Sequence, residues 1–362
     1  MDITIVGAGP IGCYAGYLLA QYGHTVSIYD KKKEIGLPIQ CTGILTSDFD
    51  QFNISLDSCL VNTVTTIEAF SPNNLKIGIQ QKDYIVCRKR FDSFLADKAA
   101  LAGAKLFFNH SFVRREENYL VINDGINNTQ KRIQSDIIIA ADGPLSPVAK
   151  AYGLFHPSRK YYYGIQAVVE GNFENNVTKT YFGKDRCPGF FAWVVPESST
   201  RARIGLYTTK NPKQHFDTFM FDNGFTAQEI QAGTIPIFNH HQKLKKGNCY
   251  VIGDASGYVK ATTGGGIVPG MKQVQILVDC INNNKDFEKE ILPLKKRMKL
   301  HLHISKAMNK FSDKDWNKLF RYVNQPKITK VFEQYSRDNP VPLVMKALLK
   351  EPRFLYFGKY LY

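Results

Sequence analysis

The feature that most restricts this chain is a glycine turn, Gly7-x-Gly9-x-x-Gly12, set between short apolar runs at 2–6 and 25–29 and leading into a helix-periodic stretch at 10–22. Strand, turn, helix and strand in this order build a right-handed crossover, so the two strands lie parallel in a sheet covered by helices. Each glycine has its own reason. One permits the tight turn, one leaves bare backbone where a pyrophosphate approaches, and one lets helix and strand pack closely. The helix start adds unpaired N–H groups and a dipole that favours an anion. Asp30 closes the second strand eighteen residues past Gly12, where a carboxylate accepts from a ribose hydroxyl. A dinucleotide is the expected ligand, and the turn alone does not separate FAD from NAD.

Further along, residues 42–85 mix β-rich pieces at 64–70 and 75–79 with polar turns, and a helix is expected over 90–103 before a strand at 105–108. Segments 112–115, 119–122 and 131–134 read as a small antiparallel meander, followed by a buried strand at 136–140 that runs into Ala141-Asp142-Gly143. The alternation then lengthens into strands at 161–169, 177–182, 190–195 and 202–207, a sheet interrupting the doubly wound unit. Cofactor-domain character returns at 248–254, a helix follows over about 267–282, and the rest is largely helical, broken at Pro326, Pro340, Pro342 and Pro352.

Seven cysteines are scattered without a C-x-x-C pair or metal-ligand spacing, so reduced thiols are expected and a metal is not. The first residues already read as strand, which with the cysteine usage points to a cytoplasmic chain without an export signal. No apolar stretch approaches the roughly 18 residues of a membrane-spanning helix. Charge is uneven: residues 293–362 hold 16 Lys and Arg against five Asp and Glu, a net +11 of the chain's +15. Such a tail suits an anionic surface or a solvated helical face; no nucleic-acid motif accompanies it, so nucleic acid is not an expected partner. Zinc-hydrolase, G-x-S-x-G and Walker patterns are missing.

Two distal segments complete the cofactor reading. An apolar strand ends in Gly253-Asp254, and the run Gly264-Gly265-Gly266 follows. Asp at a strand end accepts from a ribityl hydroxyl, while bare backbone lets a flavin ring come close. Together with the glycine turn and Asp142-Gly143, in this order, these segments resemble the flavoprotein superfamily of the aromatic hydroxylases and geranylgeranyl reductases. The resemblance implies FAD as cofactor, with its ADP half at the first motif, Asp142 near it and its ribityl chain at Asp254. Arg88-Lys89-Arg90-Phe91-Asp92 resembles the superfamily's Arg-x-x-Phe-Asp stretch, which gives Arg88 a cofactor role. One departure stands out: the basic residue that usually follows Asp-Gly-x-x-Ser is Ala149 here.

Pro38-Ile39-Gln40-Cys41-Thr42-Gly43 is similar to the Pro-x-x-Cys-Thr-Gly segment of geranylgeranyl reductases, and Pro188-Gly189-Phe190-Phe191-Ala192-Trp193-Val194-Val195-Pro196 resembles their Pro-Gly-x-Tyr-x-Trp-x-Phe-Pro substrate motif. Phe191 replaces the Tyr and Val195 the Phe. Phe191 and Trp193 alternate on an expected strand and so project from one face, an aromatic wall for a long hydrocarbon. Burying each CH₂ contributes roughly 0.8 kcal/mol, so an isoprenoid chain binds well by apolar contact alone. Cys41, in a glycine-flanked loop, is the candidate catalytic residue, either as proton donor or against the flavin. Pro188, Gly189, Phe191 and Trp193 are the substrate candidates. The alternative for each is bland: an inert thiol and core aromatics.

The expected fold is α/β, a Rossmann-type FAD-binding domain (1–155 with 246–285) with an inserted antiparallel β-sheet substrate domain (156–245) and a basic helical C-terminal region (286–362); residues of about 42–85 contribute to the substrate side. The expected activity is FAD-dependent saturation of C=C bonds in polyprenyl chains, such as those of geranylgeranylated glycerolipids. Apolar residues interleaved with Lys346, Lys350, Arg353 and Lys359 suggest peripheral contact with an anionic membrane. Two alternatives share every cofactor motif: a flavin monooxygenase hydroxylating an aromatic or lipid substrate, and a flavin-containing membrane-surface binder without turnover. The external electron donor, NAD(P)H or a ferredoxin-like carrier, and the oligomeric state stay open at this level.

Overall fold

The computed structural model describes residues 1–361. Asp2–Val6 lies at the centre of a six-stranded sheet, flanked in parallel by Ile137–Ala140 and Thr25–Asp30, with Cys249–Val251 and Lys105–Phe108 extending it. Four consecutive central residues are buried because helices cover one face and a three-stranded meander the other. Glycine sets the helix-side spacing: a Cβ on Gly16 would come 2.5 Å from Ile28, and one on Gly270 2.7 Å from Ile11. The helix Ile267–Asn282 therefore lies close against Pro10–Gln21.

The second sheet has eight strands, antiparallel except where Val177–Tyr181 runs beside Leu60–Phe70. Ile44–Thr46, Leu60–Phe70 and Lys76–Val86 belong to this same sheet. Alternation gives its strands two destinations. Ala192, Val194, Ile204 and Leu206 pack under the helix Pro212–Asp222, while Trp193 and Val195 cluster with Val64 and Ile85 on the opposite side. The C-terminal helices close over that second side, placing Phe311, Trp316 and Phe320 on Ile77, with Ala69 and Ile79 packed alongside.

Three sequence expectations shift. The strand expected at 190–195 begins at Ala192, because Phe190 and Phe191 belong to the turn that Pro188-Gly189 opens. The strand expected over 248–254 ends at Val251 and gives way to a 3-10 turn, Gly253–Ala255. Pro212–Asp222 and the edge strand Ala227–Pro236 were not foreseen; the first four residues of the edge strand are exposed on both faces, so it carries no alternating signature.

Candidate functional site

The glycine turn is shaped by contacts that no side chain would tolerate. A Cβ on Gly7 (φ +110°) would lie 2.3 Å from the Ala141 carbonyl, and one on Gly12 only 1.9 Å from the Gly7 carbonyl. Gly9 differs: nothing stands within 4 Å of where its Cβ would be, which leaves open space over the helix start. Asp30 is pinned beside that space, accepting from the Ala8 N–H at 2.7 Å and the Lys32 N–H at 2.8 Å. Carboxylate oxygens accept more than one bond, so a ribose hydroxyl is still accommodated.

Gly253 meets the same turn from the other side, its Cβ position 3.2 Å from Ile11, and Ile252 donates to the Ala140 carbonyl at 3.0 Å. The two glycine segments thus lie together although more than 230 residues separate them. Asp254 follows, and no donor among the described residues reaches its carboxylate. Burial pushes its pKa up, against the pull of Arg88 and Arg159. The glycine run lies against it: a Cβ on Gly266 would sit 2.8 Å from Asp254 Oδ1, and one on Gly264 2.7 Å from the Tyr207 ring. A carboxylate waiting for a hydroxyl, an open helix start and bare backbone fit a flavin dinucleotide.

Arg88 opens the helix Arg88–Leu101 and donates to Asp92 through Nε at 3.1 Å and Nη2 at 3.0 Å. Burial works against its charge, but Asp92 and the neighbouring Cys41 more than offset that and raise its pKa. The Cys41 sulfur also accepts from the Gly43 N–H at 3.4 Å. Asp142 accepts from Ser146 Oγ at 2.5 Å and the Val148 N–H at 3.0 Å, at the start of the helix Pro147–Ala151 that Ser146 caps. Burial raises its pKa, with Ser146 opposing.

Beyond the glycine run lies a cavity with about 1720 Å³ of empty space, part of it open to solvent. Its floor is the eight-stranded sheet and its roof the helix Leu292–Met308 with the C-terminal segment around Phe332 and Leu343. Cys41 and Gly264–Gly266 stand at the cofactor end, together with Phe191, Trp193 and Tyr207. The Trp193 and Tyr207 rings are 4.5 Å apart, and Phe191 meets Trp193 edge-on at 6.3 Å. Pro188 and Gly189 lie off this cavity. The Pro188 carbonyl accepts from Thr208 Oγ1 at 2.9 Å, and Gly189 (φ +86°) sits near Thr209 and Asn309, so the pair orients the aromatic turn.

The sequence reading did not pick out the polar wall. Lys260 and Asp338 form an ion pair with side chains 5% and 3% exposed, and Arg337 pairs with Asp83 at 2.6 Å. Thr46 Oγ1 donates to Asp338 Oδ2 at 2.9 Å. Burial alone would raise the Asp338 pKa, yet Lys260 and Arg337 hold it below the usual carboxylate range. Nearby His301 is neutral, burial drawing its pKa down to about 4. These groups tie the 337–340 segment onto the cavity. The partners are 78 and 254 residues apart, so no local spacing announces them.

Fold and site together define the class: a flavoprotein oxidoreductase with a Rossmann-type FAD-binding domain and an apolar cavity against its cofactor end. A family model for an NAD(P)-binding Rossmann-like domain matches residues 5–49. A digeranylgeranylglycerophospholipid reductase of Methanosphaera stadtmanae is 32% identical over 74% of this chain and 74% of its own length. Another of that name, from Methanocaldococcus jannaschii, is 28% identical over 99% of this chain and 97% of its own. The crystal structure of a geranylgeranyl bacteriochlorophyll reductase-like protein from Thermoplasma acidophilum superposes with TM-score 0.87 at 22% identity, covering 100% of this chain and 99% of that one. The chain belongs to the digeranylgeranylglycerophospholipid reductase family.

Proposed function

We propose that the protein saturates C=C bonds in the geranylgeranyl chains of a glycerophospholipid, using FAD held by Gly7, Gly9, Gly12, Asp30, Arg88 and Asp254. The observation that carries this reading is the junction between the unpartnered Asp254 carboxylate, the glycine run and the apolar cavity. When bound and reduced, the cofactor supplies a hydride to one alkene carbon.

The chain's own residues do the rest. Phe191, Trp193 and Val268 give the chain a dry wall, and each buried CH₂ contributes roughly 0.8 kcal/mol to holding it. An isolated alkene is poorly polarised, so orientation against Gly264–Gly266 matters more than charge. Cys41 closes the cofactor end, its sulfur accepting from the Gly43 N–H in the electrostatic neighbourhood of Arg88.

Access from a bilayer has a candidate surface. The helix Pro340–Lys350 exposes Val341, Met345 and Leu349 at successive turns, 40%, 59% and 73% exposed, while Leu343 lines the cavity from the same helix. Lys346 and Lys350 adjoin Met345 and Leu349 on the same helix, and Arg353 and Lys359 follow in the next segment, a charge pattern that fits an anionic membrane, apolar side down. Among the described residues no helix is long and apolar enough to cross a membrane.

The test is anaerobic. Protein whose flavin has been chemically reduced is mixed with geranylgeranylated phospholipid, and the oxidised flavin spectrum is expected to return. Failure to reoxidise, or hydroxylated lipid that forms only with oxygen, overturns the reading.

A further inference from the structure

Tyr207 lies on the strand Arg201–Thr208, beside Trp193 on Ala192–Pro196, and lines the cavity at its cofactor end. Its ring is fixed by bare backbone on two sides: a Cβ on Gly164 would come 2.4 Å from its Cε1, and one on Gly264 2.7 Å from its Cε2. Trp193 at 4.5 Å and Phe190 at 5.3 Å complete the clamp. So placed, the phenol shares the electrostatic neighbourhood of Cys41, Asp254 and Arg88.

Its hydroxyl makes no hydrogen bond with any described residue, and the residue is partly accessible. Other phenols near the cavity roof are spoken for; Tyr162, for example, is 2.8 Å from Ser305 Oγ. Tyr258 is also unpartnered, but it lies in the core, edge-on to Phe238. An O–H that no protein group engages, on a ring fixed at the cofactor junction, is free to meet whatever fills the cavity. Cys41 offers less, because its sulfur already accepts from the Gly43 N–H and stands beside Arg88. Phe191, where the substrate motif described above carries Tyr, has no hydroxyl to give. The Tyr207 ring packs on the same Trp193 that Phe191 touches.

We propose that Tyr207 is the proton donor of the reduction, an inference that rests on the reductase reading above. The Tyr207 O–H bond breaks and its proton joins the alkene carbon that does not receive hydride, the π pair becoming the new C–H bond. Hydride from the reduced flavin forms the other C–H bond, so the alkene gains two electrons and the flavin loses two. As hydride reaches the other alkene carbon the π pair is left on this one, which becomes far more basic than a phenolate, so a weak acid suffices if it is close and dry. Burial raises the Tyr207 pKa, which keeps the proton in place before reaction. Afterwards the phenolate stands near the Arg88 guanidinium and regains a proton from water at the cavity mouth.

The test compares wild type, Tyr207→Phe and Tyr207→Phe with Phe191→Tyr. In Tyr207→Phe, flavin content, flavin absorbance and lipid affinity are expected to match wild type. In flavin-free protein, adding geranylgeranyl lipid is expected to perturb a tyrosine band in the near-ultraviolet, and that band is lost in the variant. Reoxidation of pre-reduced flavin by the lipid is expected to slow about 10²- to 10⁴-fold. The double variant, which returns a hydroxyl to the same Trp193, is expected to recover part of that loss. Reoxidation at the wild-type rate in Tyr207→Phe overturns the proposal, as does loss of flavin or lipid binding, which would make the ring a packing element. Failure of wild type itself to reoxidise sinks the reductase reading instead, so the two outcomes are distinct.

Discussion

Asp254 offers a test in which stability and ligand affinity move in opposite directions. Its carboxylate sits in the 3-10 turn Gly253–Ala255 that follows the Cys249–Val251 strand, close to the Gly266 backbone, with no donor from the described residues. Burial disfavours the charged form of this carboxylate, and each unit of such a pKa shift corresponds to about 1.4 kcal/mol. Asn carries no charge to desolvate, so flavin-free Asp254→Asn is expected to be more stable by on the order of 1 kcal/mol in urea denaturation at neutral pH. Flavin-loaded protein moves the other way. A hydrogen bond to a charged acceptor contributes about 1.5–3 kcal/mol, so Asp254→Ala is expected to weaken FAD binding about 10- to 150-fold. Neither cation nearby is stranded by the change, since Arg88 keeps Asp92, and Arg159 keeps Gln242 and the Ala255 carbonyl. The pH dependence carries the same sign. Burial raises the folded-state pKa, so the folded flavin-free protein holds a proton that the unfolded chain releases. Its stability is expected to fall as pH rises from the ordinary carboxylate range through that raised value, and Asp254→Asn is expected to remove the slope. A variant less stable without flavin and unchanged in FAD affinity would refute the reasoning.

Three other perturbations follow from the same geometry. Gly12→Ala puts a methyl 1.9 Å from the Gly7 carbonyl, so the protein is expected to purify without flavin, as read by its visible spectrum. Asp338→Asn leaves Lys260 as an unpaired charge in a site only 5% exposed, expected to cost about 3–5 kcal/mol in urea denaturation. Because Lys260 and Arg337 depress the Asp338 pKa, the stability it contributes is present above the ordinary carboxylate range and is lost as pH falls through the depressed value. Met345→Glu with Leu349→Glu, both on the exposed stripe, is expected to abolish flotation with anionic vesicles while flavin content stays the same; unchanged flotation counts against the membrane face.

Much of the cofactor domain was legible because its constraints are local. A strand, a turn with fixed glycine spacing and a helix fall within 21 residues, and the helix Ile267–Asn282 shows the expected apolar period. Asp254 was readable as a strand-end carboxylate, and the structure adds what the sequence could not, the absence of any donor. Asp142 was readable from its place after the 137–140 strand, and the structure adds its bonds from Ser146 and the Val148 N–H, which show only in three dimensions. Tyr207 was invisible for a related reason. In the stretch Arg201–Thr208 it is one alternating residue among several, and its place depends on Gly164 in a neighbouring strand and Gly264 in a distant loop. The ion pairs of Lys260 and Arg337 likewise join elements that only the closed fold brings together.

The most direct measurement is the mass of the lipid itself. Phospholipid bearing geranylgeranyl chains, incubated without oxygen with the flavin-reduced protein, is expected to return heavier by whole hydrogen pairs, one pair for each double bond saturated. Lipid recovered at its starting mass while the protein holds its full complement of FAD would contradict the account.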